Sequence, residues 1–194
     1  GGAYARTCDK LGIEYWIAGR EWDKEADGVI IASPAETHYG IARHLLARGV
    51  PVLIEKPVTM DPDEAEELAS MGGIAFAGHT RLYSPRWRAF RATLPPVNSV
   101  ECVAGGTERD PWWDWGPHLV AMCLDIGFDP ARARISVGGA CRPLSFVVNG
   151  VHRWEDQRGD TKPLEVLVGE FQAAIQRGVP DNRLRLGAEV VKFL

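Results

Sequence analysis

The chain has 194 residues, 45% hydrophobic and 25% charged, enough to bury a real core and too apolar for extensive disorder. Its formal net charge of −4 and pI near 5.8 give no global attraction to nucleic acid or to an anionic membrane. No apolar run approaches the roughly 20 residues that cross a bilayer, and no charged-then-apolar leader opens the sequence, so it reads as cytoplasmic, with neither nucleic acid nor membrane as partner.

Residues 3–11 have the pattern of a short helix closed by Gly12, and 13–18 (IEYWIA) have the aromatic and β-branched content of a strand. A short acidic helix or turn over 21–26 leads into 28–34 (GVIIASP), a buried strand ending in Ser33-Pro34. From Glu36 the pattern is helical, with Ile41, Ala42, Leu45 and Leu46 on one face and Gly49 just past the end. The run 51–54 is the second strand of this βαβ unit. Glu55-Lys56-Pro57 follows at its carboxyl end, the edge where open α/β sheets bind ligands.

Asp61-Pro62-Asp63-Glu64 is a helix start, with Asp61 as cap and Pro62 in the first turn; the helix runs to about Met71 and a strand follows over 74–77. Ser84-Pro85 repeats the cap for a helix that Pro95-Pro96 stops. The domain boundary is placed there, giving an α/β domain over 1–96 with a parallel sheet covered by helices on both faces. Beyond it, 100–104 reads as a strand, 105–110 as a polar loop, 113–126 as a helix, and 135–140 and 145–151 as strands. A helix over 164–177 carries Leu164, Val168, Phe171 and Ile175 on one face. Helices and strands are segregated here, which makes 97–194 a smaller α+β domain.

Cys8, Cys102, Cys123 and Cys141 form no C-x-x-C pair, and the five histidines have no ligand spacing, so no metal site is indicated and the thiols read as reduced, half-buried structural residues.

Four segments share one resemblance: residues 32–38 (ASPAETH), 46–57 (LARGVPVLIEKP), 78–85 (GHTRLYSP) and 114–118 (DWGPH). With them the chain resembles the glucose-fructose oxidoreductase, inositol dehydrogenase and MocA group of nicotinamide-dependent oxidoreductases. The resemblance implies a partial Rossmann-like domain with NAD or NADP as cofactor, and a second domain for a small-molecule substrate and for possible homo-oligomer formation. Its hydride chemistry acts on a sugar, polyol or related hydroxylated compound. Carried over residue by residue, it implies a cofactor site drawing on Ser33, Pro34, His38, Glu55, Lys56 and Arg81. It places Lys56, Asp114 and His118 together in catalysis and suggests a cis Lys56-Pro57 bond. It also implies a large open sheet in the second domain, more than the two or three strands legible there.

Each of these residues has a plainer reading. Lys56 at a desolvated cleft can stabilise an oxyanion or relay a proton, or can be a surface lysine paired with Glu55. Asp114 and His118 lie four apart and share a helix face if the helix includes Asp114, so they can bind a hydroxylated substrate and move its proton; the alternative is a cap and a packed ring. Arg81 touches nicotinamide or substrate, or is solvated. His38 lies beside the expected ribose site or is a surface residue. Trp112, Trp113 and Trp115 read as core or interface more readily than as a sugar-stacking wall.

No G-x-G-x-x-G turn occurs in the sequence. Either Gly1-Gly2 is the tail of such a loop, with Arg20 as a 2′-phosphate ligand, or the first two strands are missing and 3–11 matches a later helix. The second register fits better what precedes GVIIASP in the family. With no initiator Met and an end inside an apolar helical pattern, the sequence reads as a fragment whose own cofactor binding is weak. The competing function is a non-catalytic, shortened scaffold or assembly protein of the same family.

Overall fold

The structure is a computed structural model and describes residues 2–15, 17, 25–106, 110–138, 142–156 and 162–194. Residues 13–15 and 17 are not in a strand, contrary to the strand expected over 13–18, of which 16 and 18 lie outside the described residues, as do most of the acidic segment at 21–26, Arg20, Cys141 and part of the 105–110 loop. The chain forms two compact units, one of Gly1–Gly78 with Leu164–Lys192 and one of His79–Pro163 with Phe193–Leu194.

In the first unit β1 (Val29–Ile31), β2 (Val52–Ile54), β3 (Ile74–Ala77) and β8 (Asp181–Asn182) form one parallel sheet in that order. Strands β1, β2 and β3 are apolar on both sides because both faces are covered. Helices α2 (His38–Ala47), α3 (Pro62–Ser70) and α7 (Leu184–Val191) bury Ala42, Leu45, Ala65, Leu68, Leu184 and Ala188 in one cluster with Ile31, Val52, Ile54, Ala75 and Ala77. Helix starts follow the sequence: Asp61 Oδ1 accepts from the N–H groups of Asp63 and Glu64 at 2.8 and 3.2 Å, with Pro62 at the first position. The helix before β2 ends with Gly49 at φ 73°, where a side chain would be strained.

The alternate residue of β3, Phe76, meets Phe171 of α6 (Pro163–Arg177), ring centroids 5.5 Å apart. Gly28 faces the same helix, since a methyl there would stand 2.6 Å from Ile175 Cδ1. Helix α6 therefore belongs to the first unit and not to a domain running from 97 to the end, and the first unit closes at Gly78 instead of 96. The apolar face over 164–177 was legible, but its partner lies about a hundred residues back in the chain. Helix α1 (Gly2–Leu11) joins the same unit, with Lys10 paired to Glu165 at 3.2 Å.

Arg183 fastens the two-residue strand β8. Its Nε and Nη2 donate to the two carboxylate oxygens of Asp181 at 3.0 and 2.9 Å, its Nη1 donates to Glu170 at 2.6 Å, and its guanidinium lies 4.2 Å from the Phe76 ring centroid. The Arg183 hydrogen bonds hold the Asp181 carboxyl below the usual carboxylate range, outweighing burial, which acts the other way. A depressed folded-state value means stability that is present above the ordinary Asp value and lost as pH falls through the lower one. The stability difference between wild type and Asp181→Asn is therefore expected to be full above about pH 4 and to vanish in stronger acid. Urea midpoints measured across that range check it; a difference that does not change with pH would exclude the linkage.

In the second unit β5 (Arg134–Gly138), β4 (Val100–Gly105), β6 (Arg142–Val148) and β7 (His152–Glu155) form a mixed sheet in that order, with β4 parallel to β5 and antiparallel to β6. The strand expected over 145–151 ends at Val148, because Asn149 and Gly150 take φ 53° and 73° and turn the chain into β7. That Asn-Gly pair is the strongest hairpin signal a sequence offers. Leu119, Met122 and Cys123 of α5 (Pro111–Asp125) pack with Cys102, Leu144, Phe146 and Trp154 of the sheet and with Trp87 of α4 (Pro85–Ala92). A hydrogen bond with Cys123 and burial push the Cys102 thiol up, which keeps it a thiol. Cys8, Cys102 and Cys123 are all buried and free.

Candidate functional site

The first unit gathers five of the expected residues at the carboxyl edge of its parallel sheet. Ser33-Pro34 follows β1 and Glu55-Lys56-Pro57 follows β2, with the Lys56-Pro57 bond cis. His38, at the start of α2, joins the two segments: its Nδ1 lies 2.9 Å from the Pro57 carbonyl oxygen and its Nε2 2.9 Å from that of Ser33. The ring is 1% exposed, so it is a buried tie between loops and not a surface residue. Ser33 Oγ and Thr37 Oγ1 are 2.6 Å apart, and Thr37 donates to the Pro34 carbonyl at 2.7 Å, which fixes the turn out of β1.

Glu55 is equally committed. Tyr4 Oη donates to its Oε1 at 2.9 Å and the Lys56 N–H to its Oε2 at 2.8 Å. Gly78, at the end of β3, closes on this corner: its N–H donates to Ile54 O at 2.6 Å, and a methyl in its place would stand 2.9 Å from Glu55 Cα. Only glycine lets the two strand ends approach this closely.

The second unit carries Asp114, His118 and Arg81. Asp110 Oδ1 accepts from the Trp112 N–H at 3.2 Å and Pro111 opens α5, so Asp114 lies inside the helix and shares a face with His118 one turn on. His118 is 9% exposed, with Trp115 at 6.3 Å and His79 at 6.4 Å between ring centroids. Arg81 lies over the Trp115 ring, 5.5 Å from its centroid, and is ion-paired with Asp156. The Trp112 ring packs back on its own helix, where a methyl at Gly116 would stand 2.9 Å from it. Of the three tryptophans Trp113 alone is well exposed, at 38%.

Three residues of these clusters stand out only in the structure. His79 belongs to the GHTRLYSP segment, and its burial is the clue that singles it out. Tyr4 and Asp156 gave no signal, since their partners Glu55 and Arg81 are 51 and 75 residues away.

The first unit fits the nicotinamide end of a dinucleotide better than the pyrophosphate end. Two parallel strands present tied loops and a lysine at one edge, while no strand among the described residues leads into a glycine-rich turn that would cradle phosphates.

Residues 3–72 match the Gfo/Idh/MocA oxidoreductase family, described as having an NAD-binding Rossmann fold. The rhizopine catabolism protein MocA of Rhizobium meliloti is 28% identical over 140 residues, which are 69% of this chain and 38% of that protein. The chain thus spans well under half the length of that relative. A crystal structure assigned only as an oxidoreductase, from Magnetospirillum magnetotacticum MS-1, superposes with a TM-score of 0.74 at 25% identity, covering 95% of this chain and 86% of that one. GenD2 from gentamicin A biosynthesis, crystallised in complex with NAD, shares the fold with a TM-score of 0.71 at 17% identity, over 95% of this chain and 79% of its own.

Proposed function

We propose, for a chain that belongs to the Gfo/Idh/MocA oxidoreductase family, an NAD(P)-dependent oxidoreductase that moves a hydride between a nicotinamide and a hydroxylated substrate of the sugar or polyol class. The family binds NAD on a Rossmann fold and acts on sugar-like substrates. The observation that carries the reading is the carboxyl edge of the first unit, where His38 ties Ser33-Pro34 to the loop bearing Lys56.

A nicotinamide bound at this edge would supply the hydride acceptor or donor for the substrate carbon. His118 takes the hydroxyl proton as the carbonyl forms and gives it back in reverse. Lys56 stabilises the developing alkoxide, and Asp114 accepts a hydrogen bond from a second substrate hydroxyl and so orients the reacting carbon. Ser33, Pro34 and His38 shape the ribose side of the nicotinamide site.

Two measurements test this. Titrated with NADH, the 194-residue chain should give a weak, non-saturating fluorescence change, because its phosphate cradle is incomplete; tight saturable binding would show that this account of the cofactor site is wrong. With a family first strand and glycine-rich loop supplied ahead of Gly2, it should reduce NAD or NADP in the presence of at least one inositol, hexose or nucleotide sugar. Cofactor binding without turnover on any of these would favour the scaffold reading.

A further inference from the structure

We propose that Tyr4 and Glu55 are positioning residues for Lys56, a bracket between α1 and the loop after β2; the proposal rests on the oxidoreductase reading of Lys56. A glutamate next to a lysine can swing its carboxylate toward the ammonium, or present it to a ligand. Glu55 is held from doing either freely. Its Oε1 accepts from Tyr4, itself 6% exposed, and its Oε2 accepts from the main-chain N–H of Lys56. Its own N–H donates to Ile31 O at 2.9 Å, the last carbonyl of β1. Gly78 lines the corner, where a methyl would stand 3.1 Å from Oε2.

The carboxylate therefore fixes the backbone from which the Lys56 side chain departs. Charge-assisted bonds of this kind are the strong ones, and the Tyr4 hydroxyl holds the carboxylate in the pose from which Oε2 reaches the Lys56 N–H. Losing that hydroxyl loosens the Lys56 amide and the backbone from which the side chain departs.

The test uses the 194-residue chain without cofactor and compares wild type with Tyr4→Phe, which keeps the packed ring, and with Glu55→Gln. Hydrogen exchange in Tyr4→Phe should run about tenfold faster at the Lys56 amide, the consequence of losing about one hydrogen bond's worth of free energy. The amides of β2 and the urea midpoint should stay near wild type. Competitive acetylation read by mass spectrometry should change the reactivity of Lys56 relative to Lys192 by about threefold in Tyr4→Phe, because the amine moves with the backbone that carries it, and a loss of packing elsewhere would leave that ratio unchanged. Glu55→Gln, which weakens the charge-assisted bond to the same N–H, should also speed exchange there, and it carries the exchange test if Tyr4→Phe does not fold. Unchanged Lys56 exchange in both variants, or equal acceleration throughout β2, overturns the bracket. Because neither readout needs cofactor, that failure is distinct from failure of the oxidoreductase reading, which turnover of Lys56→Ala decides.

Discussion

Trp87→Ala is expected to cost the second unit about 4 kcal/mol, the middle of the range for removing a buried aromatic ring. Trp87 is fully buried and meets three other rings, with centroid separations of 5.7 Å to Phe90, 5.2 Å to Phe146 and 5.3 Å to Trp154. It also joins α4 to the end of α5, because its Nε1 donates to Asp125 Oδ2 at 2.8 Å while Arg91 pairs with the other oxygen. Alanine thus opens a cavity at the centre of the cluster and removes a hydrogen bond at its rim. Trp87→Phe should fill part of that space and cost about half as much, leaving mainly the lost bond and residual volume. With two units in the chain a single global transition is not assured, so amide exchange is the proper measure. The loss should be read at Cys102, Phe146 and Met122; undiminished protection there would show that the ring is not the keystone its contacts imply.

Local signals in this sequence were strong and were mostly realised. Asp61-Pro62 and Ser84-Pro85 each announced a helix, and both side-chain caps are made. Gly49 announced the end of α2, and the apolar runs at 29–31 and 52–54 became adjacent parallel strands. These features depend on residues within a few positions of one another, so a linear reading can reach them. Other features depend on distant partners. Helix α6 has the same apolar face whichever unit it joins, and only Phe76 and Gly28 decide its place. The strand β8 is two residues long, too short for any periodicity, and is held by Arg183 and its carboxylates. The Asn149-Gly150 turn is legible as a local signal, and it interrupts the β propensity that otherwise runs through 145–151.

The candidate site divides in the same way. Motif resemblance picked out Lys56, Asp114 and His118, but not how their surroundings hold them. His38 was read as facing cofactor or solvent, whereas both ring nitrogens meet main-chain carbonyl oxygens. Arg81 reads in the sequence either as touching nicotinamide or substrate or as solvated, and its guanidinium is engaged by Asp156 and Trp115. A residue type and a position suggest a role; the side chains already using its polar atoms decide how much of it remains for a ligand.

Replacing Lys56 or His118 by alanine, in the form carrying a first strand and glycine-rich loop, should lower turnover by about 10²- to 10⁴-fold, the usual worth of acid–base participation. Dehydrogenating an alcohol requires that the hydroxyl proton leave as the hydride does, and His118 is the proposed acceptor. Without Lys56 the alkoxide that develops loses its stabilising charge. Both effects fall on kcat, since each interaction strengthens as charge develops in the transition state. Cofactor affinity should stay near wild type, because neither residue belongs to a phosphate cradle. Asp114→Asn, which keeps the shape and loses the charge, should act more on KM if its role is to hold a substrate hydroxyl. Trp112→Ala is the internal control: its ring lies against Gly116 of its own helix, so the expected loss is in stability and not in turnover. If Lys56→Ala and His118→Ala both turned over the protein's own substrate at the wild-type rate, the assigned roles would be wrong, and the proton path would have to start from other groups, with His79 beside His118 the first to replace.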